Sequence, residues 1–206
     1  MKDTSIIFQG PNVRLIRAGL KTQTRRVIDP QPQTAQMISE TTASLCYPAM
    51  VWLQCKYGVP GDNMWVREAW RVGIVYDGLM PSELKKCNNE SSRLAVDYLA
   101  DGPSIWSVED RGKVRSSIYM PRWASRIDLE IEKIRVERVQ SISHDDAIAE
   151  GCFGQGWKVS DTRTPVVYPA DEYAQLWESI NGNGSWVANP WVWAVTFKIK
   201  EKELAN

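Results

Sequence analysis

PNVRLIRAGLKTQTRRVI, residues 11–28, changes character once, at Gly19. Before it, Pro11 suits the first turn of a helix, with Val13 and Ile16 facing inward and Arg14 and Arg17 outward or across a cleft. Gly19 suits the C-terminal cap, where the chain turns left-handed. After it, KTQTRRVI is rich in Thr and β-branched residues and predicts a strand over 21–28. In a regular strand Lys21 and Thr24 have opposite parity, so they converge only if Lys21 still belongs to the cap turn.

Outward from this unit the chain keeps alternating strands with short helices. DPQPQ, 29–33, ends the strand. Residues 34–57 are weakly patterned and predict a loop or a short hairpin. YGVPGD, 57–62, is a turn. MWVREAWRV, 64–72, then alternates, with Met64, Val66, Glu68 and Trp70 on one face and Trp65, Arg67, Ala69 and Arg71 on the other. A carboxylate on that apolar face must be paired or neutral. Residues 77–117 are polar and irregular, with a short helix near 82–88. Ile127, Leu129 and Ile131 alternate, and Ile134 and Val136 resume after a break. Ser143 caps a helix over 144–150 that ends at Gly151, and a glycine-rich polar loop follows to about 168. ADEYAQLWESI, 170–180, puts Tyr173, Leu176, Trp177 and Ile180 on one helical stripe. PWVWAVTFKIK, 190–200, is a last strand with Trp191, Trp193, Val195, Phe197 and Ile199 on its apolar face. No internal repeat appears. The pattern predicts an α+β fold, a small mixed β-barrel with short flanking helices.

The chain has 206 residues, enough for one domain with a substantial core or one domain carrying an insertion. Its 25 basic and 25 acidic residues cancel, which excludes a global basic field and strong duplex-DNA binding; any nucleic-acid contact must be local. No stretch has the length of a signal peptide or a membrane span, so the expected location is cytoplasmic and no membrane partner is expected. Cys46, Cys55, Cys87 and Cys152 form no CxxC pair, and His144 is the one histidine. That spacing argues against a Cys/His zinc site and leaves four free thiols. Hydrolytic chemistry would then rest on a lysine or a carboxylate as base.

GLKTQTRR (19–26), YGVPGDNMWVRE (57–68) and SINGNGSWVANPWVWAVTF (179–197) together resemble the ASCH domain family, and most of all its phage and prophage members. The family's signature of glycine, lysine, an acidic or hydroxyl residue and arginine is matched by Gly19, Lys21, Thr24 and Arg26. The resemblance implies one PUA-like domain over 1–206, with insertions near 34–56 and 73–117. It also implies either of two functions. One is a metal-free and cofactor-free amidohydrolase of N4-acylated cytidine, with Lys21, Thr24 and Glu68 as its set. The other is an RNA-binding module or ribonuclease. Threonine at 24 favours the first, while the greater length of this chain leaves the nucleoside open.

Two assignments fit that set. Lys21 could take the proton of a Thr24 nucleophile, or Glu68 could act as base while Lys21 stabilises the oxyanion. Arg26 would brace Glu68 or, with Arg25, contact the ligand, and Trp65, Trp70 or Tyr76 could stack on a base. On spacing alone there is a plainer reading: Lys21 and Thr24 at a solvated strand end, and Glu68 as the structural partner of an arginine.

Overall fold

The computed structural model describes residues 1–32, 36–39, 44–46, 52–87, 94–154 and 167–200. Its strands are β1 (Asp3–Ile7), β2 (Gln23–Val27), β3 (Gln36–Ser39), β4 (Ser44–Cys46), β5 (Trp52–Gln54), β6 (Asn63–Arg67), β7 (Trp70–Arg71), β8 (Asp97–Tyr98), β9 (Asp128–Arg138) and β10 (Trp191–Ile199). Its helices are α1 (Gly10–Arg17), α2 (Pro81–Cys87), α3 (His144–Ala149) and α4 (Pro169–Asn181). The fold is mixed α+β. Five strands form the main sheet in the order β1-β6-β9-β10-β2, with β1 parallel to β6 and the other pairs antiparallel.

That sheet is not closed into a barrel by backbone pairing. β1 and β2 are its two edges. A side chain bridges them instead: Arg26 Nη2 on β2 donates to the Ile7 carbonyl at the end of β1, at 2.7 Å. The resulting seam matters for the site below.

One face of the sheet packs on α1. Val13 and Ile16 of the helix are fully buried among Ile6, Phe8, Met64, Val66, Leu129, Trp193, Val195 and Phe197. The other face packs on α3 and α4, where Ala147, Tyr173 and Trp177 meet Val139 and Val192. β10 is therefore buried on both sides, and Val192 and Ala194 on its expected polar face are as inaccessible as Val195. The break expected in the 127–136 strand is a bulge. β9 runs unbroken, but its register against β10 shifts between Thr196 and Phe197, leaving Glu132 unpaired.

The 64–72 strand departs from expectation. It stops at Arg67, and Trp70 and Arg71 pair instead with β8 in a separate two-stranded ribbon. Alternation fails at Glu68, where the ladders to β1 and β9 have run out and the buried carboxylate meets Arg126, and Trp70 joins a third cluster with Val72, Leu84, Met120 and Ala124. The polar 73–117 stretch thus contributes a small core of its own, and α2 lies one residue from the helix expected there. β1 was not anticipated. β3, β4 and β5 form an antiparallel meander within 34–57, and the rest of 33–51, residues 88–93 and the 155–166 part of the expected polar loop lie outside the described residues. Among the described residues no helix is long and apolar enough to cross a membrane.

Candidate active site

The cap after α1 decides where Lys21 goes. Leu20 and Lys21 both donate their backbone N–H to the Leu15 carbonyl, at 2.9 and 3.2 Å, and Gly19 has φ +71. Lys21 belongs to the cap turn, and β2 begins two residues later. The condition for Lys21 and Thr24 to converge is met. Both are buried, at 3% and 4% exposure, and both line one cleft of about 500 Å³.

The carboxylate that meets Lys21 is Glu150. Lys21 Nζ donates to Glu150 Oε2 at 2.6 Å and to the Glu150 carbonyl at 2.7 Å. The contact is built by the end of α3. Ser143 caps that helix, accepting from the Asp146 N–H at 3.1 Å, as the sequence predicts. Gly151 ends it with φ +94, and a Cβ there would lie 2.7 Å from Leu15 Cδ1. The positive φ favours glycine where α3 closes on the α1 cap, and Thr22 N–H donates to the Ala149 carbonyl at 2.9 Å to lock it.

Behind this pair lies a balanced ion network. Arg25 contacts Glu150 at 3.2 Å, Glu137 at 2.6 Å and Asp146 at 3.0 Å. Arg135 also contacts Asp146, at 2.9 Å, and Gln23 bonds both Arg25 and Asp146. Lys21, Arg25 and Arg135 thus face Glu137, Asp146 and Glu150, so the buried charges cancel. Burial opposes the Arg25 charge, but Glu150 and Glu137 outweigh it and its pKa rises. Burial likewise raises the Asp146 carboxyl, yet hydrogen bonds from Arg135 and Gln23 and the Arg25 charge hold it below the usual range. Tyr173, whose ring lies 5.8 Å from the Arg25 guanidinium carbon, is held well above the usual phenol value by burial and by Glu150, so it stays neutral.

The cleft runs along the free edge of β2. Ile28 donates to the Trp191 carbonyl and Thr22 accepts from Phe197, so the even-numbered residues of β2 bond β10. The N–H and C=O of Arg25 and Val27, both lining the cleft, therefore point away from the sheet. Phe8, Tyr57, Tyr173 and Trp177 supply aromatic walls. Phe8 sits between two cations, 5.9 Å from Lys21 Nζ and 5.2 Å from the Arg26 guanidinium carbon. The Trp177 indole N–H is buried with no acceptor. Among the described residues, no group hydrogen-bonds the Thr24 hydroxyl.

The other anticipated residues stand elsewhere. Glu68, 1% exposed, does not line the cleft; Arg126 holds both its oxygens, at 2.9 and 3.1 Å. Its plainer reading, as partner to an arginine, fits this contact. Arg26 lines the cleft but does not brace Glu68. Trp65 lies between Arg67 and Arg122, 5.6 and 5.7 Å from their guanidinium carbons, and Trp70 is fully buried edge-on to Trp123. Tyr76 packs on the third cluster. None of these three lines the cleft.

Glu150 was missed by sequence reasoning, although a signal existed. Asp146 and Glu150 are i and i+4 on one short helix, a like-charge pair that is unfavourable unless cations sit against it. The α4 stripe of Tyr173, Leu176, Trp177 and Ile180, expected as one face of an amphipathic helix, lines the cleft with all four residues.

No family model and no curated protein matches the chain. A search of solved structures finds a protein of Enterococcus faecalis V583 described by the family model DUF984, at 10% identity and a TM-score of 0.40, covering 97% of this chain and 80% of that one. The likeness is too distant to carry an argument.

Cys152 follows the Glu150–Gly151 corner. Burial, with Glu172 and Glu150 adding to it, pushes it up to about 12, and burial pushes Cys55 up to about 11. Both thiols are protonated near neutrality and poor nucleophiles. Iodoacetamide at pH 8 should alkylate the half-buried Cys87 of native protein and spare Cys55 and Cys152, read by peptide mass mapping. Labelling of Cys152 at the rate seen in denaturant would contradict this.

Proposed function

We propose that this protein is a PUA-like, ASCH-type amidohydrolase that removes the acyl group from N4-acylated cytidine or a related modified nucleoside. One observation carries the reading: Lys21 and Thr24 line one cleft beside the buried Glu150 carboxylate. A hydroxyl, an ammonium and a carboxylate on one cleft are the groups that acyl transfer needs. In this reading the open sheet is the PUA-like barrel parted at the β1–β2 seam, and Glu150 fills the place that the resemblance gives to Glu68.

Thr24 Oγ1 attacks the acyl carbon, and its proton passes through Lys21 to the Glu150 carboxylate. Charge develops on the acyl oxygen, which the outward N–H groups of Arg25 and Val27 are placed to receive. The C–N bond breaks, the pair returns the proton to N4, and cytidine leaves. Water then attacks the acyl group on Thr24, giving its proton to the same pair; the acyl C–Oγ1 bond breaks, the pair returns that proton to Thr24 Oγ1, and the carboxylic acid departs. The aromatic walls suit a pyrimidine, and the unpaired Trp177 N–H offers a donor to its carbonyl.

The RNA-binding alternative needs a free basic patch from Arg14, Arg17, Arg25 and Arg26. Arg17 is paired with Asp101, Arg25 is consumed in the ion network, and Arg14 donates to the Ala100 carbonyl. Three of the four are thus engaged and Arg26 alone meets no carboxylate or ion network, which favours the amidohydrolase. Purified protein with a chelator present should convert N4-acetylcytidine to cytidine, followed by the change in ultraviolet absorbance. No conversion across several N4-acyl groups would overturn the reading.

A further inference from the structure

A second cavity, of about 430 Å³, lies at the seam between β1 and β2. Its walls include Thr4, Ser5, Arg26, Lys56, Tyr57 and Arg67, with the remaining lining residues apolar, so three cations face it and no carboxylate does. Among the described residues Arg26, Lys56 and Arg67 meet no carboxylate, as is also true of Arg14, Arg111, Arg115 and Arg138; what sets the three apart is that they line one cavity.

Three residues of its wall, Thr4, Arg26 and Arg67, also carry a buried polar atom with no partner, at Oγ1, Nε and Nε, behind the surface they present to the cavity. The cations are also held in place. Each rests near an aromatic ring: Arg26 at 5.2 Å from Phe8, Lys56 at 5.3 Å from Tyr57 and Arg67 at 5.6 Å from Trp65. They come from β2, the turn after β5, and β6, three segments converging on one space. Strand β1 pairs on one side only, which leaves outward backbone N–H groups along the same seam. Guanidinium, ammonium, hydroxyl and backbone N–H donors around a cavity without acid match the oxygens of a phosphate.

This cavity and the cleft share Arg26, Lys56 and Tyr57 as walls, so one ligand can reach both. We propose that the seam between β1 and β2 is a phosphate site, and that the ligand of the cleft is a cytosine nucleotide instead of a bare nucleoside. The nature of the base rests on the amidohydrolase reading above; the phosphate site rests on the seam alone. The phosphate could be terminal, on a mononucleotide, or a diester within RNA.

Calorimetric titration of the full chain with cytidine, CMP and the dinucleotide CpC tests this without any need for turnover. CMP or CpC should bind at least about tenfold more tightly than cytidine in low salt, and the advantage should shrink as salt rises. Tighter binding of CMP identifies a terminal phosphate, and binding of CpC equal to or above that of CMP identifies a diester. Lys56→Ala and Arg67→Ala should each reduce the ratio. Lys56 is exposed, so its variant separates a lost contact from a lost fold. Equal affinities for all three ligands, or an advantage untouched by both substitutions, would overturn the site. A phosphate advantage in a protein that deacylates neither N4-acetylcytidine nor its 5′-monophosphate upholds the seam and rejects the amidohydrolase. Deacylation with no gain from phosphate does the reverse.

Discussion

Thr24→Ala should lower kcat/KM for N4-acetylcytidine by about a thousandfold or more if the proposed mechanism holds, because in it Thr24 Oγ1 forms the covalent bond. Glu150→Gln should cost about a hundred- to a thousandfold, the range for a positioned proton acceptor and its partner. Glu68→Gln should leave kcat/KM within about threefold, since its carboxylate contacts Arg126 and does not line the cleft. The three variants therefore separate two catalytic sets that share Lys21 and Thr24. Mass spectrometry of quenched wild-type protein should show an acetyl group on Thr24 in the first turnovers. Loss of activity in Glu68→Gln with retention in Glu150→Gln would invert the assignment. Glu150→Gln also leaves the buried network one negative charge short, with Lys21 and Arg25 each missing a partner. Circular dichroism must show that this variant folds before its rate is read.

Local chemistry was the legible part of this chain. Pro11, Gly19, Ser143, Gly151 and Gly182 mark ends of helices, and those signals depend only on neighbours in sequence. Lys21 and Thr24 were legible for the same reason: a glycine cap and three residues of chain suffice to bring them together. Glu150 was not, because it reaches Lys21 across 129 positions and through a helix-to-helix contact that a glycine permits. Trp70 misled in the opposite sense. Its alternation with Met64 and Val66 is real in sequence, but the strand breaks at Glu68 and sends it to a different core. Period-two pattern reports faces only while the strand continues. The seam was illegible too, since Arg26, Lys56 and Arg67 come from three separated segments.

The ion pair just past the end of β6 should dominate the stability of its region, and unequally between its partners. Glu68 is 1% exposed, while the Arg126 side chain is 19% exposed. Arg126 also bonds Asp101, which in turn pairs with Arg17 of α1, and its guanidinium carbon lies 3.9 Å from the Tyr98 ring centre. The Asp101 carboxyl is held below its usual range by the hydrogen bond from Arg126, so it too is ionised and engaged at neutral pH. Removing Arg126 leaves a buried carboxylate with no counter-charge, which costs about 3–5 kcal/mol. Removing Glu68 leaves an arginine that keeps Asp101, the Tyr98 ring and some water, which costs about 1–2 kcal/mol. Arg126→Ala should therefore destabilise more than Glu68→Ala in urea unfolding at pH 7. The double variant should be more stable than Arg126→Ala alone, because the stranded charge is gone. Equal losses in the two single variants, or a double variant worse than both, would mean that Glu68 is not desolvated.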